Sequence, residues 1–390
     1  MIDAPIVSRE SDHLQTLLLV DDSPINLELL KETLDGLGYL LFEASDGQTA
    51  LELARQQLPD LILLDILMPG MDGFEVCRRL RQDESTAAIP VIFLSALDDM
   101  EDKVHGLELG AVDYIAKPFR LEEVIARVNT HLTIYQLKRK VQNQRDELER
   151  ELQQVAETQR SLLLKDLPQI SGLQLAVSYE TSRYAGGDLY DVLPLGNNRW
   201  GILVADAEGH STPAAVLMAM CCALMRSFVG DASDPAVVLT YLNSGLRKVE
   251  DSRLVTAIYA VYDADSRQLS LARAGHLQPL LYRPETGMAE EILCEGAFPL
   301  GLKPYTDVEV PILNIGLKPG DQLLFYTDGL TECFDNAGQI YGIERMKKVF
   351  AGADSVEPQA VLQAIHDDVV TFTAGHPADD DQTLLLAVVG

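Results

Sequence analysis

Two sets of acidic residues stand at the ends of apolar runs in this sequence. In the first, Asp21 and Asp22 follow Leu17–Val20, Asp65 follows Leu61–Leu64, Ser95 follows Val91–Leu94, and Lys117 with Pro118 closes a run from Asp113 to Ile115. In a doubly wound sheet the carboxyl ends of the strands share one edge, so these residues converge on one crevice. Three carboxylates there repel unless a cation joins them, and an all-oxygen site of this kind suits Mg²⁺. Asp65 can then attack a phosphoryl group while Mg²⁺ and the Lys117 ammonium neutralise its equatorial oxygens and Ser95 donates a hydrogen bond to one of them.

The second set comprises four clusters: GGDLYD (186–191), VADAEGH (204–210), YTDGLTE (326–332) and ADDDQT (378–383). Small neighbours such as Gly187 and Gly209 let the backbone approach closely, as a metal cage requires. An isolated Asp-Gly is an ordinary turn. Four such clusters, each beside an apolar strand and without a local Lys or Arg, imply hard cations. Two ions about 3.5–4 Å apart can activate a bridging water against phosphorus, so the implied reaction is phosphomonoester hydrolysis. The sequence has no Walker loop, kinase catalytic loop or serine nucleophile elbow.

The elements that must position these groups follow from periodicity and punctuation. Residues 15–131 alternate short apolar runs, including Leu40–Glu43, with amphipathic stretches, and predict five βα units around a parallel α/β sheet. Pro24 and Asp46-Gly47 mark helix starts. From Leu121 to Asp166 there is neither Pro nor Gly, which predicts one helix on the order of 70 Å long. Core positions at Ile134, Leu137, Val141, Gln144, Leu148, Leu152, Val155, Gln159 and Leu162 alternate by three and four, with a stutter at Leu148–Leu152. That heptad seam makes residues 132–166 a coiled-coil linker and predicts a parallel homodimer. Residues 167–390 read as α+β and mainly antiparallel, with strands at 173–178, 200–206, 256–263, 269–274, 323–326 and 384–388. Helices are expected at 213–228, 235–249 and 358–372. Residues 1–14 read as a tail.

At 390 residues the chain calls for two or three domains, and 47% hydrophobic residues suffice to bury their cores. A net charge of −29 repels phosphate backbones and anionic lipid heads, which argues against nucleic-acid and membrane partners. Five cysteines without a CxxC spacing fit a reducing cytoplasm. The start lacks the pattern of a signal peptide. The longest apolar run, 214–225, falls well short of the roughly 20 residues a membrane span needs.

The first set, with VDD at 20–22, LDILMPGMDG at 64–73, LSA at 94–96 and KPF at 117–119, resembles the receiver domain of two-component response regulators. That resemblance implies phosphorylation of Asp65 by a histidine kinase or phosphotransfer protein. It further implies Mg²⁺ held by Asp22, Asp65 and the Leu67 carbonyl, Asp21 acting through water, and a switch formed by Ser95, Tyr114 and Lys117. The second set resembles PPM-type serine/threonine phosphatases of the SpoIIE and RsbU branch, whose fold is a β-sandwich flanked by helices. By that resemblance Asp188, Asp206, the Ala207 carbonyl, Asp328 and Asp380 hold two Mn²⁺ or Mg²⁺ ions. Arg183, Gly187, Gly209, His210 and His276 would have supporting roles, with both histidines structural.

Two departures from the family pattern, Glu208 and Ser211, add charge near the metals and remove a glycine. The helix opening at Ser211-Thr-Pro213 starts beside the site and is a candidate switch element. Relatives of this kind act on a phosphorylated anti-sigma-factor antagonist. The plan of receiver, helical linker and PPM-like domain also resembles RssB-like adaptors, which implies an alternative: phosphorylation-dependent delivery of a sigma factor to a protease.

Overall fold

The computed structural model describes residues 14–96, 100–182, 184–209, 212–249, 253–305, 309–353 and 357–390. The chain divides into two compact units, 1–147 and 148–390.

In the first unit β1 (Gln15–Val20), β2 (Tyr39–Ala44), β3 (Leu61–Asp65), β4 (Val91–Ala96) and β5 (Asp113–Lys117) form a parallel sheet in the order β2-β1-β3-β4-β5. The helices are α1 (Pro24–Leu34), α2 (Gly47–Gln57), α3 (Gly73–Gln82), α4 (Met100–Glu108) and α5 (Leu121–Arg160), whose residues from Leu148 onward belong to the second unit. Strands covered on both faces need side chains that are apolar in both directions. β1 illustrates this: Leu18 and Val20 join the core under α2 and α3, whereas Leu17 and Leu19 join the core under α1 and α5. Pro24 stands in the first turn of α1, and the Asp46 carboxylate caps α2 by accepting from the Thr49 N–H.

α5 ends at Arg160 rather than Asp166. The run Leu162–Leu164 cannot place three consecutive side chains on one helix face, and the chain turns there so that Leu163 enters the core of the second unit. Along α5, Ile134, Leu137, Val141, Leu148 and Val155 of the anticipated seam are exposed. The seam does not extend to its last two positions: Gln159 is buried within the second unit, and Leu162 packs against that unit's core.

The second unit is a sandwich of two sheets. One, in the order β13-β10-β9-β8-β7 with β14 also on β10, contains β7 (Asp188–Gly196), β8 (Arg199–Ala207), β9 (Val255–Asp263), β10 (Gln268–Ala274), β13 (Gly296–Ala297) and β14 (Leu313–Gly316). The other, β12-β11-β15-β16-β6, contains β6 (Leu173–Glu180), β11 (Leu280–Arg283), β12 (Met288–Glu291), β15 (Gln322–Tyr326) and β16 (Gln382–Val389). Alternation sorts the side chains into layers. Leu323 and Phe325 face the core shared with the first sheet, α6 (Thr212–Ser227) and α7 (Pro235–Leu246). Leu324 and Tyr326 face α9 (Ile343–Gly352) and α10 (Pro358–Phe372), with the short α8 (Asp328–Thr331) beside them. Met218 and Met225 are buried in the core. All five cysteines are buried thiols. Among the described residues no helix is long and apolar enough to cross a membrane.

Candidate phosphorylation and metal sites

At the carboxyl edge of the parallel sheet, Asp21, Asp22 and Asp65 offer oxygens that all lie within 4.8 Å of one another. The Lys117 ammonium reaches two of them, 2.7 Å from Asp21 Oδ2 and 2.7 Å from Asp65 Oδ1. Asp21 is fully buried and also accepts from the Asn26 amide and the Ser23 N–H. Burial raises the Asp65 carboxyl above the ordinary aspartate range, against the opposing pull of Lys117. Ser95 Oγ is buried and has no hydrogen-bond partner among the described residues. Tyr114, on β5, packs against the core under α2 and α3. Gly73 has no room for a side chain: a Cβ there would sit 2.2 Å from the Asp65 carbonyl, so the loop after Asp65 must fold back at a glycine.

The second set converges at one rim of the sandwich. Asp188 opens β7 directly opposite Asp206 near the end of β8, while Asp328 follows β15 and Asp380 precedes β16. Asp188 is 1% exposed, and its Oδ2 accepts from Thr327 Oγ1 at 2.7 Å and Thr383 Oγ1 at 2.6 Å. Burial, then the neighbouring Asp206, pushes the Asp188 carboxyl well up. Asp206 is pushed up to about 7 by burial, with Asp328, Asp380 and Asp381 adding repulsion. Asp328 is raised for the same reasons, burial first and Asp380 next. Ion pairs to these four acids are absent among the described residues. Withdrawing unpaired carboxylates from water is costly, and bound cations are the means by which such a cluster is ordinarily kept ionised.

Backbone closeness at this rim explains two glycines. A Cβ on Gly187 would lie 2.5 Å from the Ala207 carbonyl oxygen, and one on Gly329 would lie 2.1 Å from the Asp381 carbonyl oxygen. Gly209 has φ +90°, in the left-handed region.

Models of two families match the chain: the response regulator receiver domain over residues 17–129, and stage II sporulation protein E (SpoIIE) over residues 196–389. The chain joins a receiver domain to a SpoIIE-family domain. The receiver is 47% identical over 116 residues to the DNA-binding dual master transcriptional regulator RpaA of Synechocystis, a match covering 30% of this chain and 48% of that protein. It is 47% identical over 121 residues to the response regulator PleD of Caulobacter vibrioides, covering 31% and 26%. The chain thus spans about half or less of the length of these curated relatives. The RsbU and RsbW domains of Rv1364c from Mycobacterium tuberculosis align with a TM-score of 0.51 at 26% identity, over 58% of this chain and 63% of that one. The SiaA-PP2C domain of Pseudomonas aeruginosa shares the fold, with a TM-score of 0.53 at 21% identity over 63% and 98% of the two chains.

Within the SpoIIE-family domain several expected residues take definite places. His276 is 3% exposed, its Nδ1 is 2.8 Å from Oγ1 of Thr256, the residue paired with Asp206 across β8 and β9, and burial lowers the imidazole to about 4. Glu208 is exposed, and its Oε2 accepts from the Leu254 N–H. Asp191, of the first cluster, faces Arg226 at 3.8 Å. Arg183, His210 and Ser211 lie outside the described residues. Sequence reasoning missed Asp381, whose two carboxylate oxygens accept from the N–H groups of Ser182 and Gly187 and so hold the loop before Asp188. It also missed Thr327, Thr383 and Gln159. The Gln159 side chain brackets Gly186, its Nε2 donating to the Gly186 carbonyl and its Oε1 accepting from the Gly186 N–H.

Proposed function

We propose that this chain is a response regulator in which phosphorylation of Asp65 controls a two-metal protein serine/threonine phosphatase. The observation that carries the reading is the convergence of Asp188, Asp206, Asp328 and Asp380, three of them raised by burial, at one rim with no ion pair among the described residues. These four and the Ala207 carbonyl would hold two Mn²⁺ or Mg²⁺ ions, which supply a nucleophilic water and polarise the phosphoryl oxygens. The protein's own part is to fix that cage: Thr327 and Thr383 orient Asp188, Asp381 holds the Gly187 peptide, and His276 backs the strand pair.

In the receiver, Asp22, Asp65 and the Leu67 carbonyl would take Mg²⁺, and a histidine kinase or phosphotransfer protein would donate the phosphoryl group. Ser95, Tyr114 and Lys117 would then register its arrival. The boundaries that fit this reading are a receiver at 15–131, a linker at 132–166 whose helix ends at Arg160, and a phosphatase domain at 167–390. The linker pairs two chains through its exposed apolar positions from Ile134 to Val155, and the protein acts in the cytoplasm. Likeness to an RsbU domain supports a phosphorylated anti-sigma-factor antagonist as substrate. The adaptor alternative gives no reason to hold four acids together at one rim, with Asp188 buried.

The test is phosphate release from a phosphoserine antagonist protein in Mn²⁺, before and after phosphorylating Asp65 with acetyl phosphate. The expected result is a rate that differs between the two states; identical rates would overturn the coupling.

A further inference from the structure

Beside the four acids lies a groove of about 620 Å³ that the hydrolysis itself does not use. One wall is the loop from Thr373 to Asp379, which runs directly into Asp380. The opposite wall is a hairpin that begins just after α8, the short helix opened by Asp328. In it Phe334 bridges Ile340, the Tyr341 N–H donates to the Cys333 carbonyl, and Asp335 Oδ1 accepts from the N–H groups of Ala337 and Gln339. Both walls are therefore continuous with candidate metal ligands through short, hydrogen-bonded stretches.

The groove is lined by apolar and acidic side chains. Buried Val369 contributes to its floor, while Phe334 and Val370 are 50% and 44% exposed. A half-exposed aromatic in a concave site is the kind of anchor on which binding energy concentrates. Glu180, Asp335 and Asp379 also line the groove, and among the described residues no Lys or Arg does. Its basic-capable groups are His366, with Nδ1 3.6 Å from Glu180 Oε1, and His376.

We propose that this groove seats the stretch of the phosphoprotein substrate that adjoins the phosphorylated residue, with an apolar side chain on Phe334 and Val370 and a neighbouring Lys or Arg facing the three carboxylates. The proposal rests on reading the acid rim as a phosphatase site. A phosphoryl group at the cations that Asp206, Asp328 and Asp380 would hold leaves the attached chain to cross an adjacent surface, and this one is continuous with those residues and complementary to a basic, apolar segment. A second copy of the chain suits the groove less, because a net charge of −29 opposes an acidic lining. Phe334 and Val370 would then determine specificity without touching the reacting atoms.

The experiment uses the full chain in Mn²⁺. Fluorescence anisotropy follows labelled serine peptides in which the serine is flanked by Leu-Arg or by Glu-Glu. Rates are measured on p-nitrophenyl phosphate and on the corresponding phosphoserine peptides. The Leu-Arg peptide should bind at least about tenfold more tightly than the Glu-Glu peptide, and Phe334→Ala or Glu180→Gln should each remove most of that difference. The same variants should lower kcat/KM on the Leu-Arg phosphopeptide about tenfold while leaving p-nitrophenyl phosphate hydrolysis unchanged. Equal binding of the two peptides, or unaltered binding by Phe334→Ala, would overturn the proposal. So would loss of self-association in Phe334→Ala, measured by sedimentation, because it would assign the groove to a second copy. Failure of the wild-type protein to hydrolyse p-nitrophenyl phosphate would instead count against the phosphatase reading, and the anisotropy comparison would still decide the groove.

Discussion

The receiver pocket and the rim of the SpoIIE-family domain both gather aspartates, yet they manage the same repulsion differently. In the receiver, Lys117 bridges Asp21 and Asp65 at 2.7 Å each, so one built-in cation already offsets part of the charge. At the rim the hydrogen bonds holding Asp188 come from neutral groups, Thr327 and Thr383, and Asp206 is pushed up to about 7. On the proposed reading the first arrangement is a poised nucleophile that would need a metal for chemistry. The second needs metal for chemistry and for its own electrostatic balance.

The sharpest way to break this comparison is Asp65→Asn. Radiolabelled acetyl phosphate should give no incorporation into that variant, while Mn²⁺-dependent hydrolysis of p-nitrophenyl phosphate persists. Loss of both activities would mean that the two sites are not separable. A smaller effect is expected from Thr383→Val, which frees Asp188 Oδ2 without removing a proposed ligand. Orienting partners of this kind are worth roughly 10–100-fold in metal affinity, to be read as a higher Mn²⁺ concentration for half-maximal rate.

The mildest effect is on stability. Because the folded-state value of Asp206 lies above its unfolded value, the folded protein binds more protons between about pH 4 and about pH 7, and stability falls as pH rises through that window. Chelator-treated protein should therefore melt a few degrees lower at about pH 8 than at about pH 5. Added Mn²⁺ should raise the melting temperature more at the higher pH. The same metal response at both values would contradict the contrast drawn here.

Much of this organisation was legible in the sequence because its signals are local. Apolar runs ending in Asp, the uninterrupted stretch from Leu121, and the Pro and Gly punctuation each specify a strand, a helix or a turn within a few residues. β7 was missed because Gly186-Gly-Asp at its start reads as a turn, and the short strands β11 to β14 carry little pattern. The supporting shell escaped for a different reason. Thr327 and Thr383 meet Asp188 across 139 and 195 positions of chain, and Asp381 meets Gly187 across 194, distances over which periodicity says nothing. Gln159 illustrates the converse error: heptad spacing assigned it to a seam between chains, whereas its amide is committed to the Gly186 peptide.

The account turns on cations joining the four rim acids, and the most direct test is Asp188→Asn. Phosphate release from a phosphoserine protein in Mn²⁺ should fall by more than about 100-fold, since a ligand matters more than the groups that orient it. Full Mn²⁺-dependent activity in that variant, with the fold intact, would contradict the account.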